Sequence, residues 1–420
     1  MLNNIKEFLS KLNPDILIQA PSRINLINPL DAVEGDFWMP SVAINGKHDP
    51  LSVFLYIKKL DQESRLKIYR IKQTKSDLKL EVVSEETLTK KKSEILKKLS
   101  KDQRLIYATI YRLLKMNSCF NEKFLKSNIE IGLLSTIPPQ SGLGGSTAII
   151  IAVIYGLACY FNLYNNLNTV KHYEYPINKD IIAEIATKVE DKDLKVTSGY
   201  SDRYIISRGG LGFCSYFGKL YHKDISHEPL AIFDRIDETY EIISLPIIIC
   251  FSGVTHDSGD VHGKLRKLYL QQDPKIVNNY KKLAELAWKS RFALMKHDWK
   301  LLGEFFKENT RIMNKVMERA GFEYGIGLVN NILIELIEEH RDVYAAKLTG
   351  AGNGGSVFAL VNPDKIESIL KYWKDKLIEI IEDKRIFISK FPTYPVEITE
   401  QLKNARFYQV EIDRDGVKKI

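Results

Sequence analysis

The 420-residue sequence has few cysteines, and they form no pattern that would bind a metal. No two of the four are spaced as a metal-ligand pair, and three lie in apolar runs. The four are Cys119, Cys159, Cys214 and Cys250. We therefore expect buried thiols in a reducing compartment.

Long apolar runs and targeting signals are also missing. No charged-then-apolar segment opens the chain, and the longest apolar stretch, residues 148–161, is short and contains Gly and Tyr. A membrane-spanning helix needs about 20 consecutive apolar residues. These absences predict a cytoplasmic protein without a membrane partner.

The common P-loop pattern, Gly-x-x-x-x-Gly-Lys-Ser/Thr, does not occur in the sequence. A nucleotide site in this chain must therefore have another architecture. The sequence shows no internal repeat and no low-complexity tract. Its hydrophobic content of 45% and charged content of 27% are ordinary for a soluble globular protein, and they exclude the disordered and fibrous classes.

Positive charge is spread along the chain and gives a formal net charge of +8. One local excess lies in residues 84–116, whose pattern predicts a helix; it consists of Lys90, Lys91, Lys92, Lys97 and Lys98. No aromatic residues are interleaved with these lysines, so they indicate a solvated face, and we expect no nucleic-acid partner. A mild positive field favours anionic ligands such as nucleotides or sugar acids.

The chain is long enough for two domains with a cleft between them. Apolar and alternating runs predict strands at residues 16–20, 41–44, 51–57, 66–71, 78–83, 129–134, 211–216, 242–251, 343–348, 356–361 and 405–412. Further helices are predicted at residues 146–161, 179–190, 261–270, 275–295, 299–319, 328–340 and 363–381. This mixture indicates an α+β fold, and we place the domain boundary between residues 1–222 and 223–420.

A glycine loop between a predicted strand and a predicted helix has the sequence Ile137-Pro-Pro-Gln-Ser-Gly-Leu-Gly-Gly-Ser-Thr-Ala148. Its glycines lack the Cβ atoms that would keep backbone N–H groups from closing around a phosphate. The helix that starts at about Ser146 brings the positive end of its dipole to the same point. The hydroxyls of Ser146 and Thr147 could add a phosphate contact or a Mg²⁺ ligand. The alternative is a glycine-rich turn with Ser146 as an ordinary helix N-cap.

This first glycine loop resembles the phosphate loop of GHMP kinases, Pro-x-x-x-Gly-Leu-Gly-Ser-Ser-x-Ala. The matching residues are Pro138, Gly142, Leu143, Gly144, Ser146 and Ala148. It is closer still to the glucuronokinase form, Pro-x-Gln-x-Gly-Leu-x-Gly-Ser-x-Ala-Ile, which also matches Gln140, Gly145 and Ile149. The resemblance implies that ATP phosphates are bound by Pro138, Gln140, Ser141, Gly142, Leu143, Gly144, Gly145, Ser146 and Thr147.

An N-terminal segment, Ala20-Pro-Ser-Arg-Ile-Asn25, resembles the first motif of the family, Ala-Pro-x-Arg-x-Asn. Galactokinases continue with Gly-Glu-His-Thr-Asp, whereas this chain has Asn28-Pro29-Leu30-Asp31, which is similar to the glucuronokinase sequence Asn-Pro-Ser-Asp. The difference argues against galactose as the substrate. Taken alone, the segment would be a loop with Arg23 as a surface cation.

A second glycine loop, Lys347-Leu-Thr-Gly-Ala-Gly-Asn-Gly-Gly-Ser356, resembles the third motif of the family. Gly350, Gly352 and Gly355 also match the dinucleotide pattern Gly-x-Gly-x-x-Gly. A predicted strand follows this loop, so no helix N-terminus would meet a pyrophosphate, and we discount a dinucleotide site.

The middle segment, Ser198-Gly-Tyr-Ser-Asp-Arg203, resembles the catalytic segment of the family, Gly-x-x-Asp-Gln or Gly-x-x-Asp-Arg in its sugar kinases. The resemblance implies that Asp202 is the general base and that Arg23 is the cation beside it. Phosphoryl transfer needs a carboxylate within hydrogen-bond reach of the attacking hydroxyl and a cation that keeps it ionised. The alternative for Asp202 and Arg203 is a surface turn.

The stretch Asp257-Ser-Gly-Asp-Val-His-Gly-Lys-Leu-Arg266 is similar to the glucuronokinase sequence Asp-Ser-Gly-x-Val-His-x-x-x-Arg. A sugar carboxylate needs a cationic partner, and the sequence leaves open whether Arg266, Lys264 or His262 faces the cleft. The alternative is a helix N-terminus with a charged face. The full set of predicted substrate-binding residues is Asn28, Asp31, Ser198, Gly199, Tyr200, His262, Arg266, Gly350 and Gly352.

A Mg²⁺ ion that bridges phosphates takes few protein oxygens. In mevalonate-kinase-like relatives, a Glu on the helix before the catalytic segment joins the Ser of the glycine loop. This resemblance implies Ser146 and Glu190 as metal ligands, with Asp191 or Asp193 as alternatives to Glu190.

The resemblance as a whole implies a two-lobed α+β fold, in which an N-terminal lobe with a βαβ unit and a ferredoxin-like C-terminal lobe enclose the active site. It implies a monomer or homodimer that transfers the γ-phosphate of ATP to the anomeric hydroxyl of a sugar acid such as glucuronate. Alternatives within the family are kinases of galactose, heptose or mevalonate-type substrates. A catalytically inactive, nucleotide-binding relative is the alternative from another class.

Overall fold

The computed structural model describes residues 2–27, 30–33, 37–61, 65–73, 77–87, 92–99, 103–165, 177–216, 231–255 and 258–420. Strands and helices both contribute to its core, which confirms the predicted α+β class. Within these ranges, every helix is too short or too polar to cross a membrane.

A sheet of thirteen strands runs through the described residues. The strands are β1 (Ile16–Asn25), β2 (Met39–Gly46), β3 (Ser52–Lys59), β4 (Arg65–Gln73), β5 (Leu78–Thr87), β6 (Ile129–Ser135), β7 (Leu211–Tyr216), β8 (Ala231–Arg235), β9 (Ile247–Phe251), β10 (Val343–Thr349), β11 (Ser356–Val361), β12 (Arg406–Ile412) and β13 (Lys418–Lys419). The main order is β10-β11-β9-β12-β2-β1-β3-β6-β4-β5, while β7 pairs with β2 and β8, and β13 pairs with β1.

Strand β12 joins the two halves of this sheet. It pairs antiparallel with β9, where Arg406 lies opposite Phe251, and with β2, where Ile412 lies opposite Ile44. Strand β13 then pairs with β1, so the last strands return to the N-terminal half. The predicted domain boundary after residue 222 lies outside the described residues and stays a prediction.

Fourteen α-helices are described around the sheet. They are α1 (Leu2–Lys11), α2 (Lys92–Leu96), α3 (Arg104–Met116), α4 (Ser118–Leu125), α5 (Gly145–Tyr160), α6 (Lys179–Lys188), α7 (Ser201–Arg208), α8 (Ser258–Leu270), α9 (Pro274–Met295), α10 (Trp299–Arg319), α11 (Leu328–Glu338), α12 (Ile366–Glu382), α13 (Lys384–Lys390) and α14 (Ile398–Leu402). A π-helical turn, Val189–Asp193, extends α6.

Helix α5 is the central helix of the N-terminal half. It is apolar on nearly all sides and packs against β1 and β3. Gly156 allows this close approach, because a Cβ atom there would lie 2.8 Å from Cδ2 of Leu55. The packing fixes the start of α5 at Gly145, next to the strand that carries Arg23.

The helix predicted over residues 84–116 is wrong in its first part. Residues 84–87 continue β5, which pairs with β4 as far as Thr87 opposite Arg65. An ion pair of 2.6 Å between Arg65 and Glu85 lies across this polar end of the hairpin. The remainder forms two separate helices, α2 and α3. Of the basic run, Lys90 and Lys91 lie outside the described residues.

Helices α1 and α7 have no counterpart among the predictions. Helix α1 packs Ile5 and Leu9 against Phe54 and Tyr56 on β3. Helix α7 begins inside the segment of residues 198–203, for which no helix was predicted, and it carries Asp202. The strand predicted over residues 242–251 begins only at Ile247.

Candidate active site

Arg23 connects the predicted base with the first glycine loop. It lies on β1, all of whose residues are buried. Its Nε and Nη2 atoms donate to Oδ1 and Oδ2 of Asp202 at 2.6 Å each, and its Nη1 atom donates to the carbonyl of Gly142. A bidentate guanidinium fixes the orientation of a carboxylate as well as its charge. Arg23 is therefore a buried cation and not a surface one.

Asp202 stays ionised in this environment. Burial alone would raise the pKa of its carboxyl, but the charge and hydrogen bonds of Arg23, the nearby Arg203 and the amide of Asn25 together bring that pKa well below its ordinary value. Asn25 Nδ2 donates to Asp202 Oδ1 at 3.2 Å, and its own Oδ1 accepts from Ser41 Oγ at 2.8 Å. The surface-turn alternative is wrong, because these contacts enclose the carboxylate.

Asp31 fixes the start of α7. Its Oδ2 atom accepts the backbone N–H groups of Tyr200 and Ser201, both at 2.6 Å. A Cβ atom at Gly199 would lie 2.1 Å from Asp31 Oδ1, so only glycine fits there. Burial is the main reason that the pKa of Asp31 is raised, with the charge of Asp202 adding to it. Asp31 therefore positions the helix that carries the predicted base, and it also lines the cavity described below.

The first glycine loop has the geometry of an anion cradle. Gly142 and Gly144 have φ values of +72° and +80°, which favour glycine. A Cβ atom at Gly144 would lie 3.0 Å from Cδ1 of Ile206 and 3.1 Å from Cγ of Arg23. Gly144, not Ser146, is the N-cap of α5, so the Ser146 hydroxyl is not used in capping. The N-terminus of α5 thus opens where phosphates are predicted to bind.

A cavity of about 180 Å³ lies between this loop, β1 and α7. It is lined by Arg23, Asn25, Leu30, Asp31, Ala32, Met39, Gln140, Ser141, Gly142, Gly144, Gly145, Ser146, Thr147, Glu190, Val196, Thr197, Ser198, Gly199, Asp202, Arg203, His262, Gly350 and Ala351. Of the predicted site residues, Pro138, Leu143, Tyr200, Arg266 and Gly352 do not line it, and Asn28 lies outside the described residues.

Ser146 and Glu190, the residues implied as metal ligands, lie together at this cavity. Ser146 Oγ donates to Glu190 Oε1 at 3.0 Å, and Thr147 Oγ1 donates to Oε2 at 3.3 Å. Arg203 also binds Oε2, through Nε at 2.7 Å and through Nη2. An oxygen-only donor set next to a phosphate cradle fits a hard cation such as Mg²⁺.

The two alternative metal ligands form ion pairs of their own. Asp193 accepts from Nε and Nη2 of Arg112 at 2.7 and 2.6 Å, and Asp191 accepts from Nη1 of Arg266 at 3.2 Å. Across the described ranges, no group of three or more His, Cys, Asp or Glu side chains could hold a metal. Any Mg²⁺ here would therefore share its coordination with phosphate oxygens and water.

The second glycine loop closes the cavity from the C-terminal half. A Cβ atom at Gly350 would lie 3.1 Å from Cα of Gly142, so the two loops touch through their backbones. Gly352 approaches a different neighbour, since its Cβ would lie 2.8 Å from the carbonyl oxygen of Ile326. Strand β11 follows the loop directly, as the sequence predicted.

Of the three side chains considered for the acceptor carboxylate, one lines the cavity. Arg266 donates to the carbonyls of Ala32 and Ser198 at 2.6 and 3.2 Å, so it links three segments around the site. Lys264 pairs with Asp260 at 2.8 Å, and its side chain is 51% exposed. His262 lines the cavity.

Two site residues lay inside the quoted motifs but were not chosen as site residues. Asn25 ends the first motif and donates to Asp202, and Arg203 follows Asp202 and binds Glu190. Their positions inside the two motifs could have identified them as site residues. The cavity residues Met39, Val196 and Thr197 carry no such signal, because only the fold brings them to the site.

Comparison with known proteins points to one family. The model for the GHMP kinases N terminal domain matches residues 104–210, and the model for the GHMP kinases C terminal domain matches residues 292–379. These two segments contain the first glycine loop, the base and the C-terminal helices α10 and α11.

Individual relatives agree with these matches. "Probable glucuronokinase 2" of Arabidopsis thaliana is 28% identical over 246 residues, which are 57% of this chain and 59% of that protein. "D-glycero-alpha-D-manno-heptose 7-phosphate kinase" of Campylobacter jejuni is 26% identical over 281 residues, which are 65% of this chain and 72% of that protein. The chain thus spans about three fifths of the length of the Arabidopsis relative.

Among solved structures, the galactokinase of Lactococcus lactis complexed with galactose has the same fold, with a TM-score of 0.64 over the full length of both chains at 17% identity. The two-lobed architecture implied by the motifs is therefore confirmed. The chain therefore matches the models of both GHMP kinase domains, and its curated relatives and its fold agree with those matches.

Proposed function

We propose that the chain is an ATP-dependent sugar kinase that transfers the γ-phosphate to the anomeric hydroxyl of a sugar acid such as glucuronate, giving the sugar 1-phosphate and ADP. One observation carries the proposal. The guanidinium that binds Asp202 also donates to Gly142, so the base and the phosphate loop are fixed relative to each other at one cavity. Positioning of this kind supplies most of the catalysis in phosphoryl transfer.

In this proposal, Asp202 accepts a hydrogen bond from the acceptor hydroxyl. The hydroxyl oxygen attacks the γ-phosphorus, the bond to the bridging oxygen of ADP breaks, and the hydroxyl proton passes to the carboxylate. A carboxylate with so low a pKa is a weak base, so it orients the hydroxyl and receives the proton late, when the new bond has made that proton acidic. Arg23 offsets the charge that develops on the phosphoryl group.

Ser146 and Glu190 would hold Mg²⁺, which would offset phosphate charge. The Ser141 hydroxyl supports a phosphate at the cradle, since it is buried and has no hydrogen-bond partner among the described residues. A buried polar group without a partner costs free energy unless a ligand binds it. The cytoplasmic location and the monomeric or homodimeric state remain predictions.

The choice of a sugar acid rests on the glucuronokinase relative and on the motifs shared with that branch. A heptose kinase and a galactokinase are also similar to the chain, so the acceptor must be measured. At saturating Mg·ATP, ADP release would be followed with glucuronate, galactose, heptose and mevalonate as acceptors. We expect the highest kcat/KM with glucuronate, and phosphorus coupling in the NMR spectrum should place the phosphate on the anomeric carbon.

No acceleration of ADP release by glucuronate would reject the sugar-acid assignment. Acceleration by another acceptor of the panel would move the chain to another branch of the family. Nucleotide binding without ADP release for any acceptor would indicate an inactive relative.

A further inference from the structure

The cations that line the cavity differ in how fully their donors are used. Arg23 uses all three of its guanidinium nitrogens, two on Asp202 and one on Gly142. Its guanidinium is therefore committed to the base and the phosphate loop. A further anionic group in this cavity would need another donor.

Arg203 has such a donor. Its Nε and Nη2 atoms bind Glu190 Oε2, whereas Nη1 donates to no residue in the described part of the chain. Nη1 lies 3.8 Å from Asp202 Oδ2, which is beyond hydrogen-bond distance. The side chain is 7% exposed and lines the cavity. A guanidinium donor without an acceptor at a cavity wall is available to an acceptor atom of a ligand.

Ser198 contributes a second unused donor to the same cavity. It is 3% exposed, and its Oγ atom has no hydrogen-bond partner within the described ranges. Its carbonyl accepts from Arg266 Nη2 at 3.2 Å, which fixes the backbone at this point. The cavity therefore contains a cationic donor and a hydroxyl donor to which no described residue offers an acceptor.

The charges around these donors allow an anion to enter. The formal charges of Arg23, Asp202, Arg203 and Glu190 sum to zero. Asp31 also lines the cavity, and burial, together with the charge of Asp202, raises its pKa. Two basic groups of the acceptor segment already have partners, since Arg266 binds the carbonyls of Ala32 and Ser198 and the carboxylate of Asp191, and Lys264 binds Asp260. His262, the third, lines the cavity.

The chemistry of a hexuronic acid connects this site with the base. In a pyranose ring, C1 and C5 are both bonded to the ring oxygen, so the anomeric hydroxyl and the carboxylate on C5 lie along the same edge. When the anomeric hydroxyl binds Asp202, the carboxylate is therefore within reach of groups next to Asp202. Arg203 is such a neighbour in sequence and in space.

We infer that Arg203 Nη1 and Ser198 Oγ bind the carboxylate of the acceptor and so determine the preference for a sugar acid. This inference rests on the proposed function and adds to it the residues that recognise the acidic group. Arg203 has two partners in this arrangement. Glu190 fixes its guanidinium, and Nη1 binds the carboxylate of the acceptor.

The test compares glucuronate with glucuronamide, which has the same ring hydroxyls but a neutral group in place of the carboxylate. A charge-assisted hydrogen bond should make the wild-type kcat/KM about 10- to 100-fold higher for glucuronate. Arg203→Gln should bring this ratio close to one, mainly through KM of glucuronate. The ratio is the readout because the loss of the Glu190 contact would slow both acceptors alike.

Arg208→Gln is the matched control, since it removes the same charge from the same helix. Arg208 lies outside the cavity and pairs with Asp180. It should keep the wild-type ratio. Titration with Mg·nucleotide would establish that each variant is folded and binds its first substrate.

A wild-type ratio retained in Arg203→Gln would overturn the inference while leaving the proposed function intact. A wild type that does not phosphorylate glucuronate would instead overturn the proposed function. If Arg203→Gln no longer binds nucleotide, Ser198→Ala provides the test. A fall of about threefold or more in the ratio of kcat/KM for glucuronate to that for glucuronamide would support the inference, and an unchanged ratio would overturn it.

Discussion

The two glycine loops meet at the cavity but differ in what surrounds them. The first leads into the N-terminus of α5 and contacts charged side chains, because Gly142 accepts from Arg23 and the hydroxyls of Ser146 and Thr147 donate to Glu190. The second leads into β11. The two loops have similar glycine content, but only the first is followed by a helix whose N-terminus favours anions. The second is followed by a strand.

Neutral groups fix the second loop. The amide of Asn330 donates to the carbonyl of Gly354 at 2.9 Å and accepts its N–H at 2.8 Å. The N–H of Asn353 donates to the carbonyl of Ile326 at 2.6 Å. The comparison indicates that the first loop and its neighbours carry charge for the chemistry, whereas the second loop shapes the cavity wall.

The largest effect should come from removing the base beside the first loop. Asp202→Ala should lower turnover by about 10³-fold, because no other carboxylate is held by Arg23 to orient the hydroxyl. Affinity for Mg·nucleotide should stay within several-fold, since the phosphates are predicted to bind at the glycine loop and not at Asp202. ADP release and nucleotide titration measure the two quantities separately.

Asp202→Asn serves as the isosteric control and should be nearly as slow, because an amide cannot accept the hydroxyl proton. Near-normal turnover in either variant would remove Asp202 from the mechanism.

A smaller effect should separate the two loops directly. Gly144→Ala places a methyl group against Arg23 and Ile206, whereas Gly350→Ala places one against the backbone of Gly142. Both residues have positive φ, which costs a non-glycine residue about 1–2 kcal/mol. We expect Gly144→Ala to weaken nucleotide binding by about 10-fold or more and Gly350→Ala to raise mainly KM for the acceptor.

Gly321→Ala is the matched control for this pair. Gly321 has a φ of +90°, but a Cβ atom there meets nothing within 4 Å. It therefore shows the cost of backbone strain alone, measured as a lower Tm with unchanged kinetics. Equal effects of Gly144→Ala and Gly350→Ala on nucleotide affinity would contradict the division of roles between the loops.

A change in pH dependence should report the charge beside the first loop. In the wild type, the low pKa of Asp202 places its protonation far below the usual assay range, so kcat/KM should show no acid limb from this group. Arg23→Met removes the strongest influence that lowers this pKa, and burial then raises it. The acid limb should therefore move upward in pH in the variant.

The measurement is kcat/KM for the acceptor as a function of pH, with Arg208→Gln as the control for loss of one arginine. A pH profile of Arg23→Met that is lower in rate but identical in shape would show that Arg23 does not set the ionisation of Asp202.

The motifs predicted the parts of the site that lie close together in sequence. The phosphate loop could be placed from glycines before a helix, and Asp202 and Arg23 from the resemblance. The role of each of these residues could be predicted from the short motif that surrounds it in the sequence. The order of the strands and helices across most of the chain followed in the same way from periodicity.

Contacts between distant segments could not be predicted. Asp31 and Arg266 were expected to bind substrate, yet Asp31 accepts N–H groups of residues 200 and 201, and Arg266 joins three segments. A sequence pattern gives the type of a side chain but not its partner. Helix α7 was missed for a related reason: its N-terminus is capped by Asp31, about 170 positions away, rather than by a local cap.

The smallest effect should come from replacing Asp31, which accepts the N–H groups at the start of α7, with a neutral amide like that of Asn330, which binds the second loop. In Asp31→Asn, the amide oxygen can still accept the N–H groups of Tyr200 and Ser201, as Asn330 does at Gly354. Since both hydrogen bonds to the backbone are kept, we expect kcat to change less than about threefold and Tm to fall only slightly. Asp31→Ala loses both hydrogen bonds and should cost about 1–3 kcal/mol of stability.

The raised pKa of Asp31 also predicts the direction in which the stability of the wild type changes with pH relative to Asp31→Asn. Because the pKa of Asp31 is raised in the folded state, its contribution is complete below the unfolded value of 3.8 and is lost as pH rises through the folded pKa. Unfolding measured by denaturant titration should therefore show the wild type losing stability relative to Asp31→Asn as pH rises through this window. If Asp31 instead binds the acceptor, Asp31→Asn should show a raised KM for the acceptor with an unchanged Tm. Asp31 would then be a substrate-binding residue rather than one that positions the N-terminus of α7.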